Sequence, residues 1–497
     1  MTTVEGSNKY RVIGTRPMRH DAVDKVTGAA KYGVDFSAPG MLHGKILRSP
    51  HAHAKILSID TSKAEAVPGV LAVATAADFP IISARALDYE NFQGNPRLIA
   101  ENIFANEKVL YKGHAIAAVA ATSQHVAEEA AALIDVKYEV LPTVLGWRDA
   151  LKDDAPLLHD QMTTRFRVER FGPGDDTGEI SNIAGHLQHK LGDIDKGFKE
   201  ADVIFEKEYE TQTVHQGYIE PHVASAVWGS DGRVTVWTST QGPFSVRSTT
   251  AAILGIPDSS VKVVPMEIGG GFGAKGVTYL APVAAVLAKK SGKPVKVVMT
   301  RKEVFEGSGP ASATFMRVKL GAKKDGKLTA GQVYMVYEAG AFPGAPVGGG
   351  AVTTFGSYNC ENILVDGYDV VCNKQKAQAY RAPGQPQAGF AVECAIDELA
   401  DELKVDPMEL RLKNAVSEGD RMPNGVAHAR FGCVELEEAM KNHPHYLAPL
   451  GGPNRGRGVA VAFRAQGGQV SSATINVNSD GTLNLITGSV DIGGTRT

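Results

Sequence analysis

MEIGGGFGAKG, residues 266–276, sets three consecutive glycines, a phenylalanine, a further glycine and a lysine in one short run. Glycine loses more backbone freedom on folding than any other residue, so an ordered loop of this composition needs a contact that compensates. Read locally, Gly271, Gly273 and Gly276 satisfy G-x-G-x-x-G. KVVPM (262–266) precedes them as a strand, and Leu280, Val283, Ala284 and Leu287 follow on one helical face. That reading makes a βαβ dinucleotide site and an NADP-dependent dehydrogenase. Against it, Pro265 falls inside the first strand and no acidic residue ends the second. A Walker loop fails, because Gly276 follows Lys275 where serine or threonine is needed. A third reading is a glycine-rich turn between packed elements.

Working outward, 497 residues with 43% hydrophobic and 22% charged side chains exceed one ordinary core and predict a multidomain globular protein. A net charge of -3 without a Lys/Arg block gives no field for gathering phosphates, which argues against nucleic acid. No signal-like N-terminus and no run of roughly 18 apolar residues occurs, so the expected location is the cytoplasm, with no membrane span. Cys360, Cys372, Cys394 and Cys433 lack C-x-x-C spacing, which argues against a zinc ribbon or an iron–sulfur cluster on this chain.

Residues 20–145 read as α/β: a strand at 43–49, a capped helix at 62–65, then strand 115–122, helix 124–134 with Val126, Ala130 and Leu133 on one face, and strand 136–140. Residues 146–189 read as a polar, Gly- and Pro-rich connector. From 190 strands dominate, at 202–211, 224–229, 233–240, 262–266, 296–300, 313–322 and 331–340. The turn signals DGR and DGK predict antiparallel hairpins with inserted helices. A long helix is expected over 388–404, with Phe390, Ile396, Leu399 and Leu403 on one face, and Asp406-Pro407 starts the next. The whole is α+β. A further unit begins near 430, with a hairpin at NSDGT and an end, VDIGGTRT, that suits a helix start with no helix after it.

Four motifs occur in order: STQGP (239–243), GGGFGAK (269–275), AYRAPGQPQ (379–387) and DIGGTRT (491–497). They resemble the successive molybdopterin-binding motifs of the xanthine dehydrogenase/aldehyde oxidase family. RHDAVDKVTGAAKYGVDF (19–36) and LRSPHAHAKILSIDTSKAEAVPGV (47–70) are similar to that family's opening α/β hammerhead domain. The resemblance implies a hammerhead domain over 20–145, the connector at 146–189, a first molybdopterin-binding domain over 190–429, and over 430–497 the start of a second, incomplete one. It also implies a molybdenum pyranopterin, in its bare or cytosine dinucleotide form, and a hydroxylase acting on an aldehyde or N-heteroaromatic carbon. None of the metal's ligands need be a side chain.

The same resemblance implies roles. Gln241 would donate its amide to the metal's apical oxo group from outside the ligand sphere. Gly270, Gly271, Phe272 and Gly273 would bring backbone N–H groups to the cofactor, and Gly493 and Gly494 would form a further pterin loop, although the family more often has a glutamine between these glycines. Arg381 would present a planar donor fork beside the reacting centre, the structural alternative being a salt bridge. Alanine and proline at 382 and 383, where carbon monoxide-oxidising members carry a cysteine, disfavour that substrate.

The family's general base, a glutamate in a GVGE-like motif, has no counterpart in the sequence, and neither Glu267 nor Glu303 matches it. The expectation is therefore that a second molybdopterin-domain polypeptide, or a C-terminal extension, supplies it. Electrons would leave to 2Fe-2S and FAD centres on partner subunits. The alternative is a cofactor-binding chain without turnover of its own. His51 with His53, and His215 with Glu220 and His222, are weaker metal candidates, and the second set reads as buried, hydrogen-bonded side chains.

Overall fold

The computed structural model describes residues 15–19, 21–80, 96–170, 172, 174–464 and 471–492. Two seven-stranded sheets dominate. The first runs Val261–Pro265, Val234–Thr238, Val223–Trp228, Val295–Val298, Leu42–Arg48, Ala115–Ala121, Val70–Thr75. The strands before residue 145 thus continue a sheet built from residues 223–298, through the parallel pair Leu42↔Val295.

Ala115–Ala121 (AIAAVAA) shows why they can. Every residue in it is buried, because helices cover both faces. Ala117 and Val119 pack with Ala130 and Ala131 of helix Gln124–Ala132, while Ala118 and Ala120 face the core that holds helix Ala281–Ser291. Small side chains let all three layers approach. A three-stranded sheet, Lys108–Val109, Ala54–Asp60 and Asp135–Val140, completes this half.

The second sheet runs Val203–Thr211, Thr314–Ala322, Leu328–Gly340, Ile363–Val371, Ile183–Leu191, Thr163–Arg167, Asp175–Ile180. The last three correct the connector reading of 146–189: Asp175–Ile180 is the sheet's edge and wholly exposed, and Thr163–Arg167 beside it is only half-buried, so one face stays wet and apolar alternation is weak. Helix Gln385–Leu403 lies across this sheet, burying Ala388, Ala391, Val392, Ala395, Ile396, Leu399 and Ala400 at i, i+3, i+4 spacing. Phe390, expected on that face, is exposed and meets the Tyr209 ring edge-on.

The hairpins at DGR and DGK form as expected, pairing Trp228 with Val234 and Ala322 with Leu328. Helix Ser62–Glu65 forms without a capping box: Asp60 accepts from the Ser62 N–H instead. Asp406 caps helix Pro407–Asn414 through the Met408 and Glu409 N–H groups. Ala473–Val477 and Leu483–Thr487 pair around NSDGT, and every residue of both strands is exposed. Among the described residues no helix is long and apolar enough to cross a membrane.

Candidate cofactor site

The dinucleotide reading fails on topology. Val295–Val298, which follows the helix, does not pair with Val261–Pro265 but lies beyond two intervening strands, and it pairs antiparallel with Val223–Trp228. The glycine loop also does not open directly onto that helix, whose first residue is Ala281 with Leu280 before it. The motif matched while the fold that gives it meaning did not.

The loop is instead a close-packed wall between the two halves. Gly270 and Gly273 have φ of 91° and 114°, and Phe272, without glycine's freedom, sits at 52°. A Cβ on Gly273 would lie 2.6 Å from the Ala379 carbonyl oxygen, and one on Gly271 would lie 2.7 Å from Gln241 Oε1. Glycine is required here because other chain segments occupy the side-chain space.

Gln241 follows strand Val234–Thr238, and its carboxamide oxygen accepts from the N–H groups of Gly273 (2.8 Å) and Lys275 (3.2 Å). Two backbone donors on the oxygen fix the amide's orientation, which turns its NH2 end away from them. Arg381 enters from the second half. Its N–H donates to the Phe272 carbonyl at 2.8 Å, and Ala382 follows at φ 61° before Gly384 opens helix Gln385–Leu403. The Arg381 side chain is exposed, and among the described residues it forms no ion pair, so the salt-bridge alternative has no support. Gln241, Gly270, Gly271, Phe272, Gly273 and Arg381 are therefore brought together, while Gly493 and Gly494 lie outside the described residues.

Beneath the loop is a pair that sequence reasoning left unassigned. Lys275 is fully buried, and its Nζ lies 2.6 Å from Glu220 Oε2, which also accepts from the Gly269 N–H at 2.8 Å. Ser239 donates to the other carboxylate oxygen at 2.6 Å. Burial lowers the Lys275 pKa, and Glu220 opposes that shift. His222, buried between the Tyr218 and Tyr279 rings, is held well below the ordinary histidine range by burial and then by Lys275. In the sequence Glu220 reads only as a buried, hydrogen-bonded side chain, and the one hint of its partner is the lysine itself in a glycine loop with no phosphate motif to use it.

His215, Glu220 and His222 do not form a metal triad. His215 pairs with Ser308 Oγ at 3.1 Å, and no group of three ligating residues exists among the described residues. His53 is buried against the Pro142 carbonyl, whereas His51 meets the Tyr138 ring. Glu303 caps its own helix through Thr300 and pairs with Lys45.

The two halves thus meet at a glycine wall beside a clamped glutamine and a guanidinium that forms no ion pair among the described residues, and the sequence comparisons give the class. Residues 27–142 match the aldehyde oxidase and xanthine dehydrogenase a/b hammerhead domain, and residues 176–415 match the molybdopterin cofactor-binding domain. The chain belongs to the xanthine dehydrogenase/aldehyde oxidase family of molybdopterin-binding proteins. It is 33% identical over 441 residues to the nicotinate dehydrogenase large molybdopterin subunit of Eubacterium barkeri, covering 87% of this chain and 96% of that one. It is also 33% identical to a probable xanthine dehydrogenase subunit from Bacillus subtilis, over 94% of this chain and 60% of the relative. The aldehyde oxidoreductase from Desulfovibrio gigas superposes with a TM-score of 0.80 at 28% identity, over 94% of this chain and 51% of that one. The chain thus spans nearly all of one relative and about half of others.

Proposed function

We propose that the chain is the molybdenum-cofactor-binding subunit of a hydroxylase or dehydrogenase that oxidises an aldehyde or N-heteroaromatic carbon with water-derived oxygen. The observation that carries this is the Gln241 carboxamide, whose oxygen is clamped by loop N–H groups so that its NH2 is presented to a ligand on the glycine wall. The residues fit the group: the wall leaves no room for side chains, and an exposed guanidinium stands beside it. When bound, the molybdenum pyranopterin supplies two-electron redox chemistry and transferable oxygen. Gln241 and the loop orient it, and Arg381 offers a planar donor to a substrate's carbonyl or ring heteroatom. The domain divisions at 145 and 430, the cytosine dinucleotide form, a cytoplasmic location, and 2Fe-2S and FAD partners belong to the same reading.

A second polypeptide, or further chain, bringing the general base is favoured by a specific observation. Glu220, Glu267 and Glu303 are each engaged by a buried or half-buried cation: Lys275, Lys25 and Lys45 respectively. Ile475, Val477, Leu483, Leu485 and Ile486 are all exposed on the hairpin, an apolar surface that suits a partner domain. The test is to assay the chain, alone and with its co-purifying subunits, on aldehydes and N-heteroaromatics in 18O water. Label in the product only with the subunits present is the expected result. Full turnover by the chain alone removes the partner-base reading, and no turnover in any preparation that contains molybdenum favours the chain without turnover of its own.

A further inference from the structure

Hairpin 473–487 buries nothing, yet the segment that leaves it does. Gly488 packs on Phe244, where a Cβ would fall 2.1 Å from the ring, and the Asp491 side chain is completely buried. A buried carboxylate needs cations, and among the described residues two that meet it come from the far N-terminal segment. Arg19 donates to Asp491 Oδ2, and Lys25 Nζ lies 3.3 Å from the same oxygen. Asp21, 2.9 Å from both cations, holds them as a pair.

Lys25 also lies 3.2 Å from Glu267 Oε2, at the foot of the glycine loop. The N-terminal segment is tied to that residue a second time, since the Glu267 N–H donates to the Lys31 carbonyl at 3.1 Å. One ammonium therefore bridges the carboxylate that opens the glycine loop and the carboxylate that opens the DIGG motif. Burial works against that ammonium, but hydrogen bonds to Asp21, Glu267 and Asp491 outweigh it and keep Lys25 charged beyond the ordinary lysine range.

Resting on the cofactor reading above, we propose that Lys25, with Arg19, is a positioning residue: a clasp that seats residues 488–492 against the glycine-loop wall. It touches neither cofactor nor substrate itself. Its effect is to set where Asp491 stands relative to the glycine loop, a task the exposed hairpin cannot perform by packing.

The test uses the full chain as isolated, with its co-purifying subunits, as parent and as Lys25→Met, Lys25→Arg and Asp491→Asn. Hydrogen exchange is followed in residues 266–271, 488–492 and, as a control, 363–371, and molybdenum is measured per chain. Lys25→Met and Asp491→Asn are expected to raise exchange in both loop segments by about tenfold or more with 363–371 unchanged, because a local opening alone is affected. Both should lower molybdenum, and Lys25→Arg should restore both readouts. Unchanged exchange at 488–492 in Lys25→Met overturns the clasp, as does an equal rise at 363–371. The exchange readout needs no cofactor: a local rise in protein whose parent lacks molybdenum upholds the clasp and overturns the cofactor reading.

Discussion

Substituting Gly273 by alanine strains the glycine wall at one atom. A φ of 114° lies outside the left-handed region that alanine tolerates, which costs roughly 1–3 kcal/mol. The new Cβ would stand 2.6 Å from the Ala379 carbonyl oxygen and 2.8 Å from its carbon, both backbone atoms, so the loop and the 379–382 segment must separate. Separation loses two hydrogen bonds, Gly273 N–H to Gln241 and Arg381 N–H to Phe272, at about 1 kcal/mol each. The sum, about 3–5 kcal/mol, falls on the cofactor-bearing conformation, and 1.4 kcal/mol per tenfold makes that a loss of roughly a hundredfold or more in its population. The control is Gly217→Ala, also at positive φ (62°) but with only the His215 carbonyl oxygen nearby, at 3.9 Å. Molybdenum by mass spectrometry, with thermal unfolding alongside, should show Gly273→Ala nearly empty and still folded, and Gly217→Ala close to parent. Equal occupancy in the two variants refutes the reasoning.

Arg381→Lys keeps charge but loses the fork; with no ion pair to break among the described residues, turnover should fall about tenfold or more while the melting temperature holds, and equal loss of both refutes the role. Lys275→Met leaves Glu220 unpaired in the interior and should destabilise the fold by about 3–5 kcal/mol in urea titration, with Glu220→Met in the same chain recovering much of it. His114 and His189, each held at about 4 by burial, are neutral in the fold, whereas the unfolded chain takes up protons below about pH 6.5. Their contribution is complete above that pH and is lost on acidification, so each should weaken the fold by about 2 kcal/mol at pH 5 against pH 7. The partner interface expected over the 473–487 hairpin should exceed about 2,000 Å² in a structure of the complex, as an obligate contact does.

The sequence conveyed which motif segments come together better than it conveyed the sheets. Strands with clean alternation and a DG turn, such as Thr314–Ala322 with Leu328–Gly340, were readable because local pattern and pairing coincide. Strands Thr163–Arg167 and Asp175–Ile180 were not, since an exposed edge strand and the half-buried strand beside it do not need apolar faces. Helix Gln385–Leu403 was found, but Phe390 was misplaced because small alanines, not large residues, mark its buried stripe. Gln241, the glycines and Arg381 were accessible only as an ordered motif set; G-x-G-x-x-G alone pointed to the wrong ligand. Glu220 was legible as a hydrogen-bonded interior side chain but not as the partner of Lys275, because the two lie 55 residues apart and only folding brings them together.

The most direct measurement is an anomalous difference map from crystals of the purified protein, collected on both sides of the molybdenum absorption edge. The expected result is one molybdenum peak on the glycine wall, within hydrogen-bonding reach, through one bound oxygen, of the Gln241 amide and beside Arg381. A peak remote from residues 241, 270–273 and 381, or none in protein whose solution contains stoichiometric molybdenum, contradicts it.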